Sequence, residues 1–368
     1  MKTLLFSKHD IAMIVNSVGI DRLMDQLIDA LEATCLNFDP TEFSVPTRSG
    51  FSYDDEQHSG LLEWMPVIRY GDRVVIKLVG YHPNNPRDLN LPTVLSTIIT
   101  FDTTCGLATS FVDGTFLTSM RTGAASALAS SILANPHSKT LGLIGAGAQA
   151  VTQLHALSRK FKFERVLLHD IDLQTCNSFG RRAAAAGLNI PIEVCAIEDV
   201  VAQADIVCTS TSIAVGEGPL FSFPVLRKGA HINAVGSDFP GKHELPADLL
   251  KMSLVCPDFR EQAIAEGECQ QLDSDEIGPE LSELVQRRGF FESYNQSLTV
   301  FDSTGWALED LVASELLIRL GRELGMGTQV DVQCFSTDPK NPYDFLKGRG
   351  HVQRENSLDE FLQMQRPS

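Results

Sequence analysis

Thr140-Leu-Gly-Leu-Ile-Gly-Ala-Gly-Ala-Gln-Ala150 is an apolar strand that runs into the pattern G-x-G-x-x-A, and Asp170 closes the next apolar run twenty residues later. Each small residue has a physical task. Gly145 permits the tight turn, Gly147 lets the backbone approach a pyrophosphate, and Ala150 lets the following helix pack closely while its first N–H groups face the phosphates. The context is the one this fingerprint requires: a strand before it, a helix over about 149–160, then Arg165-Val-Leu-Leu-His-Asp170. A carboxylate at position 170 accepts hydrogen bonds from the ribose 2′-OH of NAD and repels the 2′-phosphate of NADP, and Ile171-Asp-Leu173 supplies no arginine for that phosphate. NAD is therefore the expected cofactor. A structural alternative gives Asp170 to the cap of the helix that begins near Asp172.

Outward from this unit, short apolar runs at 191–196, 204–210, 230–235 and 254–257 alternate with helical or turn segments, the spacing of a doubly wound parallel sheet. The preceding residues differ. Segments 73–80 and 93–101 are strand-like with no regular helix between them, which suggests a mixed or antiparallel sheet. Residues 118–133, rich in alanine, predict a close-packed helix connecting the two regions, and 306–325 predicts an amphipathic helix that returns to the first. The expected fold class is α/β, a Rossmann NAD-binding domain (121–305) inserted in a discontinuous α+β domain for substrate binding and dimerisation (1–120 with 306–334). Residues 335–368 are polar, without a clear apolar period, and are expected to form an appended tail.

Composition narrows the function. The chain has 368 residues, enough for two cores, and a net charge of −17 without a lysine or arginine block, which argues against nucleic acid and anionic membranes as partners. Eight cysteines are scattered with no C-x-x-C, and no His/Cys grouping has metal-ligand spacing, so no metal is expected. The start is too short in apolar residues for a signal peptide and no segment approaches the ~20 apolar residues of a membrane helix. A cytoplasmic location is expected.

The nicotinamide of a dinucleotide held this way lies beyond the C-terminal ends of the strands, so polar residues there come first. His231-Ile-Asn-Ala-Val-Gly-Ser-Asp-Phe-Pro-Gly-Lys242 leaves a strand, turns at Gly236 and puts Asp238 and Lys242 in a tight loop. Asp238 could move protons to and from an amine, or could satisfy loop amides as a turn residue. Arg48, Lys77 and Arg121 stand at strand or helix ends. A lysine inside a β-branched strand is costly to bury unpaired and wants an anion, either a substrate carboxylate or a protein one. Glu63, among apolar residues, could receive an ammonium group or pair with one of those cations.

Several ordered segments carry a resemblance over about 45–320: Leu62-Glu-Trp-Met-Pro66, Gly80-Tyr-His-Pro-Asn-Asn85, Leu117-Thr-Ser-Met-Arg-Thr-Gly-Ala-Ala-Ser126, the glycine loop, 231–245, Glu266-Gly-Glu-Cys-Gln-Gln271 and Phe301-Asp-Ser-Thr-Gly305. Together they resemble the ornithine cyclodeaminase/mu-crystallin family. The resemblance implies that Arg48, Lys77 and Arg121 hold an α-carboxylate, that Glu63 faces the amine end, and that Thr304 lies beside the substrate. It implies NAD contacts from Thr93, Arg121, Ala148 and Gln149, from Asp170 and Thr211, and from Lys242 and Ser303, with the backbone of Val235, Gly236 and Ser237. Asp238 falls on the general acid/base of the family's cyclodeaminases, a carboxylate that its ketimine-reducing or ligand-binding members lack.

The implied reaction is cyclodeamination of a small L-diamino acid with loss of ammonia, catalytic in NAD, by a homodimer. Ornithine giving proline is the expected substrate and product, because the core motifs follow that branch. Lysine giving pipecolate, an amino-acid condensing reaction, ketimine reduction and a non-catalytic NAD-dependent binding role are the alternatives. Ser237, Phe239, Thr304 and Trp64 depart from the common pattern near the substrate, and one methylene is worth only ~1–3 kcal/mol of discrimination.

Overall fold

In the computed structural model, residues 2–54, 59–223 and 226–348 are described. From the N-terminus come β1 (Thr3–Phe6), α1 (Lys8–Val18), α2 (Ile20–Leu36), β2 (Phe43–Ser44), β3 (Ser49–Asp54), β4 (Ser59–Arg69), β5 (Arg73–Tyr81), the single turn α3 (Asn85–Asp88), β6 (Val94–Asp102) and β7 (Ala108–Asp113). A long helix, α4 (Gly114–Leu133), leads to β8 (Thr140–Ile144), α5 (Ala148–Lys160), β9 (Arg165–His169), α6 (Leu173–Ala184), β10 (Ile192–Val194), α7 (Ile197–Gln203), β11 (Ile206–Thr209) and β12 (His231–Ala234). Then follow α8 (Ala247–Lys251), β13 (Leu254–Pro257), α9 (Arg260–Glu266), α10 (Leu281–Gln286), α11 (Arg288–Phe291), β14 (Thr299–Asp302) and α12 (Ala307–Glu323).

The chain divides into two compact units, Leu4–Thr328 and Met1–Thr3 with Gln329–Ser368. In the second, a 3-10 helix covers Asp344–Gly348; the expected tail extends beyond it, and its residues 349–368 lie outside the described ones.

Two sheets build the unit Leu4–Thr328. The first has the order β1-β7-β6-β5-β4-β2, with β3 added on β4; β1 and β7 are parallel and the other pairs antiparallel. The second is parallel throughout, in the order β10-β9-β8-β11-β12-β14-β13. The order reverses between β8 and β11, the switch point at which such sheets leave a crevice. Since α12 returns to pack on α2, α4, β4 and β5, the parallel sheet is an insertion between two parts of the antiparallel layer.

Local chemistry explains the joints. Helix α4 starts four residues before the sequence-based expectation because Asp113 caps it, accepting from the N–H groups of Thr115 and Phe116. Its small residues let α5 come close: a Cβ on Gly123 would stand 2.7 Å from the carbonyl oxygen of Thr152. The expected amphipathic helix at the end is instead buried through most of its length, Ala307–Ser314 without interruption, because layers cover it on several sides. Sequence periodicity had missed α1, α2 and β4; the capping box of Ser7 with Asp10 marks the first of them.

Candidate active site

A cleft of about 1610 Å³ opens at the switch point. The ends of β8, β11 and β12 supply one wall, through Gly147, Ala148, Gln149, Thr211, Val235 and Gly236. The antiparallel sheet and α4 supply the other, with Glu63, Lys77, Thr93 and Arg121. Arg48, Asp238, Lys242, Ser303 and Thr304 complete it. Of the residues expected at the site, Gly145, Asp170, Ser237 and Trp64 are not on the cleft wall; Trp64 stands between the cleft-lining Glu63 and Met65 and so points to the opposite face of β4, beside the exposed Leu78. Gly145 shapes the turn, with φ +93°, and a Cβ there would meet the carbonyl oxygen of Ser210 at 2.6 Å. Ser237 is fully buried and its hydroxyl donates to the carbonyl of Lys242 at 2.6 Å.

The glycine loop fits a dinucleotide. Gly147 caps the thirteen-residue α5 with no side-chain hydrogen bond, so the first-turn N–H groups are left for an anion. A Cβ on Gly147 would meet nothing within 4 Å, so its backbone is open to close approach. Asp170 directly follows β9, where it was expected, but its oxygens accept the backbone N–H groups of Ala146 (2.7 Å) and Asp172 (2.8 Å), while Asp172 itself caps α6. Arg182, which sequence reading passed over, lines the cleft and donates to the carbonyl oxygens of Ala146 and Thr175, both at 2.7 Å.

The strand-end loops are held from behind by buried carboxylates. Glu244, fully buried, accepts from Thr211 N (2.8 Å), Thr211 Oγ1 (2.6 Å) and Gly236 N (2.9 Å). Glu268 in turn accepts from the backbone of Glu244 and Leu245. Asp258 accepts from Thr304 Oγ1 (3.0 Å) and Gly305 N (2.6 Å), fixing the Ser303-Thr-Gly305 turn. Glu244 and Glu268 lie inside the resembling segments, whereas only the folded chain reveals the role of Asp258. Burial pushes all three carboxyls up from their ordinary range.

The cations of the cleft come already accompanied. Lys77, 1% exposed, points inward from β5 and its Nζ lies 2.7 Å from Asp310 Oδ2. Burial, then the charge of Arg121, pushes the Lys77 amine down to about 8 despite Asp310. Arg121 on α4 donates from Nη1 to Glu309 (2.8 Å) and from Nε to Asp310 (3.1 Å). Burial pushes Glu309 up to about 8, opposed by Arg121. Arg48 bonds Glu266, donates from Nη2 to the carbonyl oxygen of Asp238 (2.8 Å), and has Glu63 at 3.8 Å. Thus Glu63 pairs with a cation of the site, and burial raises its carboxyl pKa. Glu266, Glu309 and Asp310 had drawn no functional expectation.

Asp238 is 36% exposed in its side chain, and its Oδ1 lies 2.9 Å from Lys242 Nζ. Lys242 is buried beneath the ring of Tyr81, whose centroid is 5.5 Å from Nζ. A carboxylate with an open face, held by a lysine at one oxygen, is equipped to exchange protons with a molecule in the cleft.

Known proteins similar to this chain are found both by sequence and by fold. An L-lysine cyclodeaminase of Streptomyces rapamycinicus is 40% identical over 344 residues, 93% of this chain and 99% of that one. An ornithine cyclodeaminase of Brucella melitensis biotype 1 is 31% identical over 90% of each chain. The solved structure of a lysine cyclodeaminase that recognises L-lysine, L-ornithine and L-2,4-diaminobutyric acid superposes with a TM-score of 0.90 at 43% identity, covering 94% of this chain and all of that one. Thermococcus litoralis Δ1-pyrroline-2-carboxylate reductase, solved with NADH and L-proline, superposes at 0.79 with 29% identity, over 89% of this chain and all of that one. The family model covers residues 8–319. With this fold and these relatives, the chain belongs to the ornithine cyclodeaminase/mu-crystallin family.

Proposed function

We propose that the protein cyclises L-lysine to L-pipecolate with release of ammonia, using NAD catalytically, and that L-ornithine is a secondary substrate. The observation that carries the reading is 40% identity along nearly the whole length of a lysine cyclodeaminase, joined to a cleft that keeps Asp238 beside a set of cations. The ornithine preference expected from the motifs yields to lysine because the ornithine enzyme stands lower, at 31%. Residues 121–305 serve NAD and 1–120 with 306–334 serve the substrate and dimerisation.

NAD, when bound, supplies a hydride acceptor and donor for the substrate Cα. The chain's own residues do the rest. Gly147, Ala148 and Gln149 receive the pyrophosphate, with Thr93, Ser303 and the 235–237 backbone toward the nicotinamide end. Arg48, Lys77 and Arg121 bind the α-carboxylate, and Glu63 with Thr304 sets the reach of the side chain. Once the neutral α-amine has been oxidised to an imine by loss of hydride from Cα, Asp238 takes a proton from the terminal ammonium. The neutral amine then adds to the imine carbon, and the C–N bond to the former α-nitrogen breaks as Asp238 returns the proton to the departing ammonia. Fixing both ends of a flexible diamino acid brings its own amine to Cα, which is chiefly an orientation effect.

We also propose a homodimer, supported by the outward face of the antiparallel sheet, where Leu62, Leu78 and Leu95 are 46%, 39% and 38% exposed and Trp64 stands opposite Leu78. Such an exposed apolar row suits a second copy. Sedimentation should give twice the chain mass, and a monomer at micromolar concentration would refute this assembly. Ammonia assays with L-lysine and L-ornithine test the reaction; silence on both would remove it.

A further inference from the structure

The carboxylate Asp310 lies in the first turn of α12 and meets both β5 and α4. Its two oxygens divide between two cations of the cleft: Oδ2 lies 2.7 Å from Lys77 Nζ and Oδ1 accepts from Arg121 Nε at 3.1 Å. Asp310 and Lys77 are each 1% exposed and Arg121 is 5% exposed, so solvent does not screen the bridge. Asp310 is not on the cleft wall, whereas Lys77 and Arg121 are. It can therefore act on a bound molecule only through them. We propose that Asp310 is the positioning residue of the carboxylate site, a single buried anion that keeps Lys77 charged and fixes Lys77 and Arg121 as a pair; this rests on the amino-acid substrate of the proposed function.

The charges around Lys77 make Asp310 necessary. Burial and Arg121 favour loss of its proton, and Arg48 adds to them. Glu63, on the neighbouring strand β4, is within electrostatic reach of Lys77 but is paired with Arg48. Glu309, next to Asp310, is spent on Arg121 Nη1, and Asp258 also faces Arg121. Asp310 is thus the carboxylate paired with Lys77 among the described ion pairs. Without it, no carboxylate is left in contact with Lys77 among the described ion pairs, and its amine is pushed below the value of about 8 that it has beside Asp310. A neutral lysine attracts no carboxylate, while Glu309 still holds Arg121.

The test uses the NAD-loaded full chain and 6-aminohexanoate, which has the carboxylate and terminal ammonium of lysine without its α-amine, neither group titrating between pH 6 and 9. Calorimetry should show Asp310→Asn binding the probe about tenfold more weakly than wild type at pH 7.5, with most of the loss recovered at pH 6, and with NAD affinity unchanged. The same profile in a Glu309→Gln background separates Lys77 from its titrating neighbour. A loss equal at every pH, or no loss, would overturn the proposal. If Asp310→Asn does not fold, the wild-type profile decides: probe affinity should fall above about pH 8 and Lys77→Arg should abolish that fall, whereas a wild-type profile flat to pH 9 contradicts it. Probe binding as described without ammonia release from L-lysine would contradict the proposed reaction and leave the carboxylate site standing.

Discussion

Lys242 Nζ lies 2.9 Å from Asp238 Oδ1, and the Tyr81 ring covers the same ammonium 5.5 Å away. The pair fixes one oxygen of the acid and leaves the rest of that carboxylate facing the cleft. Asp238→Asn keeps the shape but cannot take a proton, so ammonia release should fall by about 10²-fold or more with NAD affinity intact. Unchanged turnover would remove Asp238 from the chemistry.

Lys242→Met should lower kcat by more than it weakens NAD, because the methionine fills the space under Tyr81 but no longer holds Asp238. Steady-state kinetics with a parallel NAD titration measures the two effects. A loss confined to NAD affinity would make Lys242 a cofactor residue only.

Two glycines of the cleft should separate folding from binding. A Cβ on Gly236 would stand 2.2 Å from Glu244 Oε1, so Gly236→Ala must displace the carboxylate that holds Thr211 and should destabilise by about 1–3 kcal/mol. Gly147→Ala meets no protein atom within 4 Å and should melt like wild type while binding NAD more weakly, since its methyl enters the space for the pyrophosphate. Thermal melts with and without NAD compare the two variants, and equal melting temperatures in the free proteins would contradict the Glu244 account.

Cofactor choice should follow the charge at the end of β9. Asp170→Ser removes the carboxylate but leaves Arg182 beside the glycine loop, so the preference for NAD over NADP should narrow about tenfold, or ~1.4 kcal/mol. Dissociation constants for both cofactors test this, and an unaltered ratio would confine Asp170 to holding the N–H groups of Ala146 and Asp172.

The stability of the protein should decline between mildly acidic and mildly alkaline pH. Burial raises Glu309 from an ordinary 4.5 to about 8, so its contribution is complete below the ordinary value and is lost as pH rises through about 8. Asp302, pushed up to about 7 by burial, adds a slope of the same sign. Glu309→Gln should flatten the decline in Tm from pH 5 to 9 without abolishing it. An identical slope in the variant would mean that Glu309 is ionised throughout.

The dinucleotide half was legible because its constraints are local: β8, the glycine turn and α5 are consecutive, and Asp170 closes the adjacent strand. The loop that leaves β12, with Val235 to Asp238, was legible for the same reason, whereas Lys77 and Arg121, expected at element ends, sit in the middle of β5 and about two turns into α4. Glu309 and Asp310 were not, since they face Arg121 from almost 190 positions away and on a helix whose pattern reads as amphipathic. Burial of α12 on several sides comes from tertiary packing against α2, α4, β4 and β5, which periodicity does not encode. Arg48 illustrates a different gap. Its charge was visible in the sequence, but its bonds to Glu266 and the carbonyl of Asp238 need the folded chain.

The most direct test of the central claim is ammonia release from L-lysine by the purified protein with catalytic NAD, the product followed by mass spectrometry and NADH by absorbance, with L-ornithine in parallel. The account predicts L-pipecolate and ammonia in equal amounts, no accumulation of NADH, and slower formation of L-proline from ornithine. Net change in NADH with turnover, or no ammonia from either amino acid, would contradict it.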